Sequence, residues 1–211
     1  MPRLAVFDMD GVLADVESSW VYVHRRFGVS NDHSLYAYLR GEITDLEFIR
    51  RDIELWRDKD PVVTTDKIRH ILSDVPLMPG AERTLTELRR RGFKTAIVSA
   101  GIDLLADMIA EKVPIDVRLA NGMKSDSGGR LTGEGVLRVK LTDKGDAVGK
   151  IANQFRASKE DIVAVGNSNY DVSMFKRSGL GVAFNPDDEF VRKEADAVIE
   201  EKDLSKILDL V

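Results

Sequence analysis

The chain alternates short apolar runs with amphipathic segments. Apolar runs bounded by turn residues are typical of strands buried on both faces. They occur at residues 4–7, 93–98, 115–119, 162–165 and 180–184. Helical periodicity predicts helices at residues 81–91, 103–111, 144–155 and 189–195. Strands that alternate with helices predict an α/β fold with a doubly wound, mainly parallel, Rossmann-like sheet.

Residues 15–76 break this alternation. Amphipathic patterns occur there without a convincing buried strand, at residues 19–27, 46–56 and 67–72. We therefore predict a small helical cap at 15–76, inserted after the first strand into a core formed by residues 1–14 and 77–211. The irregular stretch 124–139 predicts a hairpin that projects from the core.

The composition favours a protein that acts on a small molecule. Of 211 residues, 43% are hydrophobic and 32% charged, which is enough apolar material for a core. The formal net charge of -5 argues against broad attraction to nucleic acid or anionic membranes. Cysteine is absent and the 3 histidines are scattered, so catalysis must use carboxylates, hydroxyls, lysine or a hard metal. We expect a cytoplasmic monomer or homodimer with no nucleic-acid or membrane partner.

Two carboxylates follow the first predicted strand. Asp8 and Asp10 stand where the buried strand ends and a loop begins. One such group can attack an electrophile while the other donates and recovers a proton, provided that their environments differ. Alone, the motif also fits a strand followed by a turn or a helix cap.

Other segments place polar groups after strands or at helix starts. Ser99 and Ala100 precede a predicted helix, where a hydroxyl and free backbone N–H groups can hold phosphate oxygens. Lys144 begins another predicted helix, and Asn167 and Asp171 offer oxygens suited to Mg²⁺. Ligands of open parallel sheets bind beyond the carboxyl ends of the strands, so these groups are expected at one edge. Each segment alone also fits an ordinary cap, turn or solvated side chain.

Together these segments resemble the four motifs of the haloacid dehalogenase superfamily of phosphohydrolases, in the same order and over nearly the whole chain. The matching positions are Asp8-x-Asp10-Gly11-Val12, Ser99, Lys144 and Gly166-x-x-x-x-Asp171. Within that superfamily the chain is most similar to phosphoserine phosphatases. That similarity lies in the cap after the first motif, Glu17, Val98-Ser99-Ala100-Gly101, Leu131-Thr132-Gly133 and Asp171-Val172-Ser173-Met174-Phe175.

The resemblance implies a phosphatase that acts on a small phosphorylated metabolite. It implies that Asp8 attacks phosphorus to form an aspartyl-phosphate, while Asp10 protonates the leaving alcohol and then activates water. The implied phosphate-binding groups are Ser99, Ala100 and Lys144. Mg²⁺ is the implied cofactor. Its implied metal site consists of Asp8, Asp10, Asn167 and Asp171.

The sequence departs from the family pattern at two places. The fourth motif of the family usually has aspartate after its glycine, but here the residue is Asn167, so weaker Mg²⁺ binding is expected. Glu17 matches the substrate-binding glutamate that reads the amine of phosphoserine. In the family, a cap arginine holds the substrate carboxylate. In this sequence, Asp52 stands near the position where that arginine is expected. Arg50 and Arg51 are close in sequence but need not face the same side of a helix.

Two alternatives stay open beside a magnesium-dependent phosphomonoesterase. The same scaffold can transfer the phosphoryl group to another alcohol instead of water. Alternatively, Asn167 weakens metal binding so far that the protein only binds a phosphorylated ligand.

Overall fold

A seven-stranded sheet forms the centre of the computed structural model, which describes residues 3–186 and 188–211. Its strands are β1 (Leu4–Phe7), β2 (Lys94–Ile102), β3 (Val117–Ser125), β4 (Leu131–Val136), β5 (Ile162–Gly166), β6 (Leu180–Phe184) and β7 (Ala197–Ile199). Their order is β4-β3-β2-β1-β5-β6-β7. Neighbouring strands are parallel except for the antiparallel pair β3 and β4. The predicted mainly parallel α/β sheet is confirmed.

Helices cover both faces of this sheet. In chain order, the helices of the structure are α1 (Ser19–Phe27), α2 (Asp32–Leu39), α3 (Asp45–Lys59), α4 (Thr65–Leu72), α5 (Ala81–Arg90), α6 (Asp103–Lys112), α7 (Gly145–Phe155), α8 (Val172–Phe175) and α9 (Glu189–Glu194). Alternate residues of β1 enter two hydrophobic clusters. Ala5 and Phe7 join the α5 and α6 side, while Leu4 and Val6 join the α7 and α8 side. A strand buried on both faces needs an unbroken apolar sequence, which the 4–7 segment supplies.

Helices α1 to α4 lie between β1 and α5, in the segment where the sequence predicts the cap. Trp56 of α3 is fully buried and stacks with Trp20 and Phe27 of α1, at centroid distances of 5.5 and 6.2 Å. Helix α2 was not predicted, because its sequence has only a weak apolar stripe. The boundaries 15–76 stay a prediction.

The predicted hairpin is formed by β3 and β4 and lies against the cap. Leu131 N–H donates to the Val63 carbonyl at 2.9 Å, and Thr65 N–H donates to the Gly129 carbonyl at 2.9 Å. A Cβ at Gly135 would lie 2.5 Å from Ile49 Cγ2, so glycine lets β4 approach α3 closely. The hairpin therefore holds α3 above the carboxyl edge of the sheet.

One local prediction is wrong: Ser99 and Ala100 do not lie at a helix N-terminus. Strand β2 continues to Ile102, which pairs with Asn121 of β3 after an irregular step, and α6 begins only at Asp103. Strand β7 was also not predicted, because it consists of only three residues, which pair with β6. Among the residues described, no helix is long and apolar enough to cross a membrane.

Candidate active site

Asp8, Lys144 and Asp171 meet at the carboxyl edge of the sheet. Asp8 directly follows β1, Lys144 immediately precedes α7, and Asp171 follows β5 in a short turn. Lys144 Nζ lies 2.9 Å from Asp8 Oδ1 and 2.7 Å from Asp171 Oδ1. All three residues are less than 5% exposed, at 4%, 3% and 0% respectively. The predicted convergence of these distant segments is therefore present in the fold.

Asp171 also organises the loop that follows β5. Its Oδ2 accepts hydrogen bonds from Asn167 N–H at 2.9 Å, from Ser168 N–H at 3.0 Å and from the Ser168 hydroxyl at 3.0 Å. Its Oδ1 meanwhile faces Lys144. Asp171 thus fixes both the lysine and the loop, and a role for it as a metal ligand stays a prediction.

Asp10 is held by the first turn of the cap. Its Oδ2 accepts a hydrogen bond from the Ser19 N–H at 2.7 Å and from the Ser19 hydroxyl at 2.8 Å. Its Oδ1 is buried and has no hydrogen-bond partner among the described residues. The second carboxylate is therefore anchored on one oxygen and available on the other.

The two carboxyl groups differ in environment and in proton affinity. Burial, reinforced by the charge of Asp171, raises the pKa of Asp8 to about 7 although Lys144 opposes the shift. Burial raises the pKa of Asp10 to about 6 against the hydrogen bonds from Ser19. Burial alone would lower the pKa of Lys144, but the charges of Asp171 and Asp8 outweigh it and raise that pKa. Lys144 is therefore a permanent cation between two carboxyl groups.

The opposite wall comes from the end of β2 and from β3. Ser99 is 2% exposed, and its hydroxyl accepts the Gly101 N–H at 3.1 Å. The Ala100 carbonyl accepts hydrogen bonds from Trp20 Nε1 at 3.0 Å and from Asn121 Nδ2 at 3.3 Å. Ser99 and Ala100 line the same cavity as Asp8 and Asp10, as predicted, although they reach it from a strand.

Residues with oxygen donors that suit a hard cation line the same cavity as Asp8. The side chain of Asn167 and the loop of Asp10 line the same cavity. A Cβ at Gly11 would lie 2.5 Å from Asn167 Nδ2, so glycine allows the two loops to meet. Within residues 3–186 and 188–211, no three carboxylates, histidines or cysteines are placed to hold a metal ion. A metal here would need the neutral amide and backbone oxygens, a donor set that fits Mg²⁺ with reduced negative charge.

The cap closes the other half of a cavity of about 310 Å³. That size suits a small ligand. The cap side chains that line it include Glu17, Trp20, Asn31, Asp45, Phe48 and Asp52. The cavity thus joins the Asp8 cluster at one end to a partly apolar, acidic chamber at the other.

Comparison with known proteins decides the family. Residues 5–176 match the family of haloacid dehalogenase-like hydrolases. The chain belongs to that family. The phosphoserine phosphatase of Methanocaldococcus jannaschii is 32% identical over 213 residues, which cover 99% of this chain and 97% of that protein.

Two further comparisons agree. The phosphoserine phosphatase of Archaeoglobus fulgidus is 31% identical over 96% of this chain, but the match spans only 58% of that longer protein. A solved structure described as the phospho-aspartyl intermediate analogue of phosphoserine phosphatase has a TM-score of 0.82 and 30% identity. It covers 100% of this chain and 99% of that chain. This haloacid dehalogenase-like hydrolase is therefore a phosphatase, similar to phosphoserine phosphatases, as its motifs indicated.

No arginine occurs among the described residues that line the cap chamber of this hydrolase. Arg50 and Arg51 both pair with Glu47 at 2.8 Å and do not line the cavity. Asp52 is buried in the cavity wall instead. Glu17 is at the cavity edge, where its carboxylate is 74% exposed and pairs with Arg25 at 2.9 Å. A register shift of one or two residues would have brought Arg50 or Arg51 to the position of Asp52, but neither arginine lines the cavity.

Sequence reasoning missed several residues of this hydrolase's site. Ser19 holds Asp10, and Asn121 closes the wall by accepting the Arg138 and Val139 N–H groups at 2.8 and 2.9 Å. Asn31 reaches the cavity from the turn before α2. The placement of Asn121 just after an apolar run was the one signal available for it.

Proposed function

We propose that this chain is a Mg²⁺-dependent phosphomonoesterase that hydrolyses a small phosphorylated metabolite through an aspartyl-phosphate on Asp8. The observation that carries the proposal is the buried Asp8 carboxyl group, 2.9 Å from the Lys144 ammonium and in one cavity with Asp10. A nucleophile, a proton carrier and a fixed cation are the groups that phosphoryl transfer requires.

In the first half-reaction, an Asp8 oxygen forms a bond to phosphorus and the bond between phosphorus and the leaving oxygen breaks. Asp10, with its pKa of about 6, gives its proton to the leaving alcohol. In the second, the Asp10 carboxylate accepts a proton from water, the oxygen of that water forms a bond to phosphorus, and the bond between phosphorus and the Asp8 oxygen breaks. Inorganic phosphate then leaves, and the Asp8 carboxylate is restored.

Groups held in fixed positions stabilise the negative charge of the phosphoryl oxygens. Lys144 is held by Asp171 at 2.7 Å, so it can move its interaction from Asp8 to phosphoryl oxygens without losing its position. Ser99 and the backbone at Ala100 complete the phosphoryl-binding site from the opposite wall of the cavity. The residues that would hold Mg²⁺ are Asp8, the Asp10 carbonyl and Asn167. When bound, the ion supplies the positive charge that keeps Asp8 ionised and screens it from the phosphate.

The test is phosphate release from p-nitrophenyl phosphate and from a panel of phosphorylated metabolites, including O-phosphoserine, with and without Mg²⁺. Asp8→Asn is expected to lower turnover by about 10³-fold or more, because the nucleophile is removed. Asp58→Asn, an exposed change on α3, serves as the matched control and keeps activity. Retained turnover in Asp8→Asn would exclude the proposed nucleophile, and phosphate transferred to an added alcohol would indicate a phosphotransferase.

A further inference from the structure

The charges that line the cap chamber are all negative. Among the described residues that line the whole cavity, Lys144 is the only cation, and it belongs to the Asp8 cluster. Glu17 is balanced from outside by Arg25 at 2.9 Å. Asp45 is half-buried and accepts the Tyr38 hydroxyl at 2.9 Å. Asp52, only 2% exposed, is the most buried carboxylate of the chamber.

The hydrogen bonds of Asp52 come from neutral groups. Its Oδ1 accepts the Asn31 amide at 3.0 Å and lies 3.4 Å from His24 Nε2. Its Oδ2 receives no hydrogen bond from any described residue. A carboxylate removed from water is costly unless an opposite charge accompanies it.

His24 does not provide that opposite charge. The indole N–H of Trp56 can only donate, and it lies 2.7 Å from His24 Nδ1. His24 Nδ1 must therefore be the acceptor and carries no proton, so the imidazole is neutral with its proton on Nε2, facing Asp52. Among the described residues, Asp52 therefore has no cationic partner, and its carboxyl group lies buried in the wall of the cavity.

The surrounding surface suits a short organic cation. Trp20 lines the chamber and is stacked on Trp56 with an interplanar angle of 17°, which fixes its ring. Phe48 and Ile49 add apolar surface from the same helix as Asp52. Aromatic faces and a carboxylate together bind ammonium groups. A substrate carboxylate would meet Asp45 and Asp52, and no described residue of the chamber carries a positive charge that could offset the repulsion.

We propose that the preferred substrate is the phosphomonoester of a short amino alcohol, whose ammonium group is bound by Asp52 and which carries no carboxylate. The inference deepens the proposed function and rests on it, because the phosphoryl group must lie at Asp8 for the leaving group to enter the cap chamber. Asp52 is thus the specificity-determining residue at the position where the family resemblance calls for an arginine.

The experiment compares kcat/KM for O-phosphoethanolamine, O-phosphoserine and glycerol phosphate. The wild type is expected to prefer O-phosphoethanolamine at least about tenfold over the other two, as one additional buried ion pair allows. Asp52→Asn keeps the shape and the Asn31 bond, and it is expected to lower the value for O-phosphoethanolamine about tenfold, mainly through KM. The other two substrates should change less than about threefold. Asp58→Asn is the control on the same helix.

Two outcomes would overturn the inference: equal or better use of O-phosphoserine by the wild type, or an equal effect of Asp52→Asn on all three esters. The wild-type comparison needs no variant, so it stands even if Asp52→Asn fails to fold. Calorimetric binding of the same esters to Asp8→Asn tests the ammonium site without turnover. Hydrolysis of p-nitrophenyl phosphate with the wrong preference would reject this inference alone, whereas no hydrolysis of any ester would reject the proposed function.

Discussion

The two ends of the cavity differ in whether their buried carboxyl groups have a cation beside them. At the core end, Lys144 lies between Asp8 and Asp171 and each carboxylate has a cation within 2.9 Å. At the cap end, Asp52 is equally buried, but its partners among the described residues are the neutral Asn31 and His24. Since a buried carboxylate without a cation is costly, the difference supports the proposal that an ammonium group of the substrate completes the cap end.

The contrast separates chemistry from selection. In the proposed reaction the core groups contact the phosphoryl group, which every phosphomonoester has, so their arrangement says little about the alcohol. The cap groups would then contact the alcohol alone. Changes at the core end should therefore alter turnover of all substrates, and changes at the cap end should alter the choice among them.

Among the changes that test this separation of roles, Asp10→Asn at the core end is expected to have the largest effect on the rate of hydrolysis. Removing the proton donor should slow hydrolysis of alkyl phosphates by about 10²- to 10⁴-fold. p-Nitrophenyl phosphate should lose far less in the first half-reaction, because its leaving group departs without a proton. Single-turnover release of alcohol or nitrophenol measures that step directly. An equal loss for both esters would mean that Asp10 acts only by holding the loop through Ser19.

A smaller effect is expected from Asn167→Asp. A carboxylate in place of the amide adds a negative charge beside Asp8, so Mg²⁺ should bind about tenfold or more tightly. Calorimetric titration of Mg²⁺ without substrate measures the affinity, and activity against Mg²⁺ concentration gives an independent value. Asp58→Asn is again the control for handling of the protein. The same Mg²⁺ dependence in wild type and Asn167→Asp would show that Asn167 is not a ligand.

The core end was predictable from sequence, and the cap end was not. Asp8 and Lys144 follow or precede regular elements whose order fixes the edge at which they meet, so their motif spacing was sufficient. Asp52 aligned with the expected arginine, but whether it faces the cavity depends on how α3 packs against Trp20 and β4. Asn31 precedes α2, which the pattern did not reveal. Ser99 was placed correctly at the edge, but on the wrong kind of element.

A third prediction concerns stability without metal. The pKa of Asp8 is raised to about 7, so the folded protein holds its proton more tightly than the unfolded chain does. That contribution is complete below about pH 4 and is lost as the pH rises through about 7. Urea unfolding in a chelator should show wild type losing at least about 1 kcal/mol more than Asp8→Asn between those limits, because one pKa unit corresponds to about 1.4 kcal/mol. Parallel pH profiles would contradict the desolvated carboxyl group.

The smallest effect is expected where the two ends touch. Trp20 Nε1 donates to the Ala100 carbonyl at 3.0 Å, and Trp20→Phe removes this bond while an aromatic ring still faces Trp56. The same carbonyl also accepts from Asn121, so it stays bonded, and the loss of unfolding free energy should be only about 0.5–1.5 kcal/mol. Tyr36→Phe, an exposed aromatic change in the cap, is the matched control.

The same variant should also bind substrate less well. We expect KM for amino-alcohol esters to rise a few-fold, which corresponds to a loss of binding free energy of about 1 kcal/mol or less, with kcat nearly unchanged. A large loss of kcat would instead show that Trp20 contributes to catalysis at the core end. The separation of catalysis at the core end from substrate selection at the cap end would then be wrong.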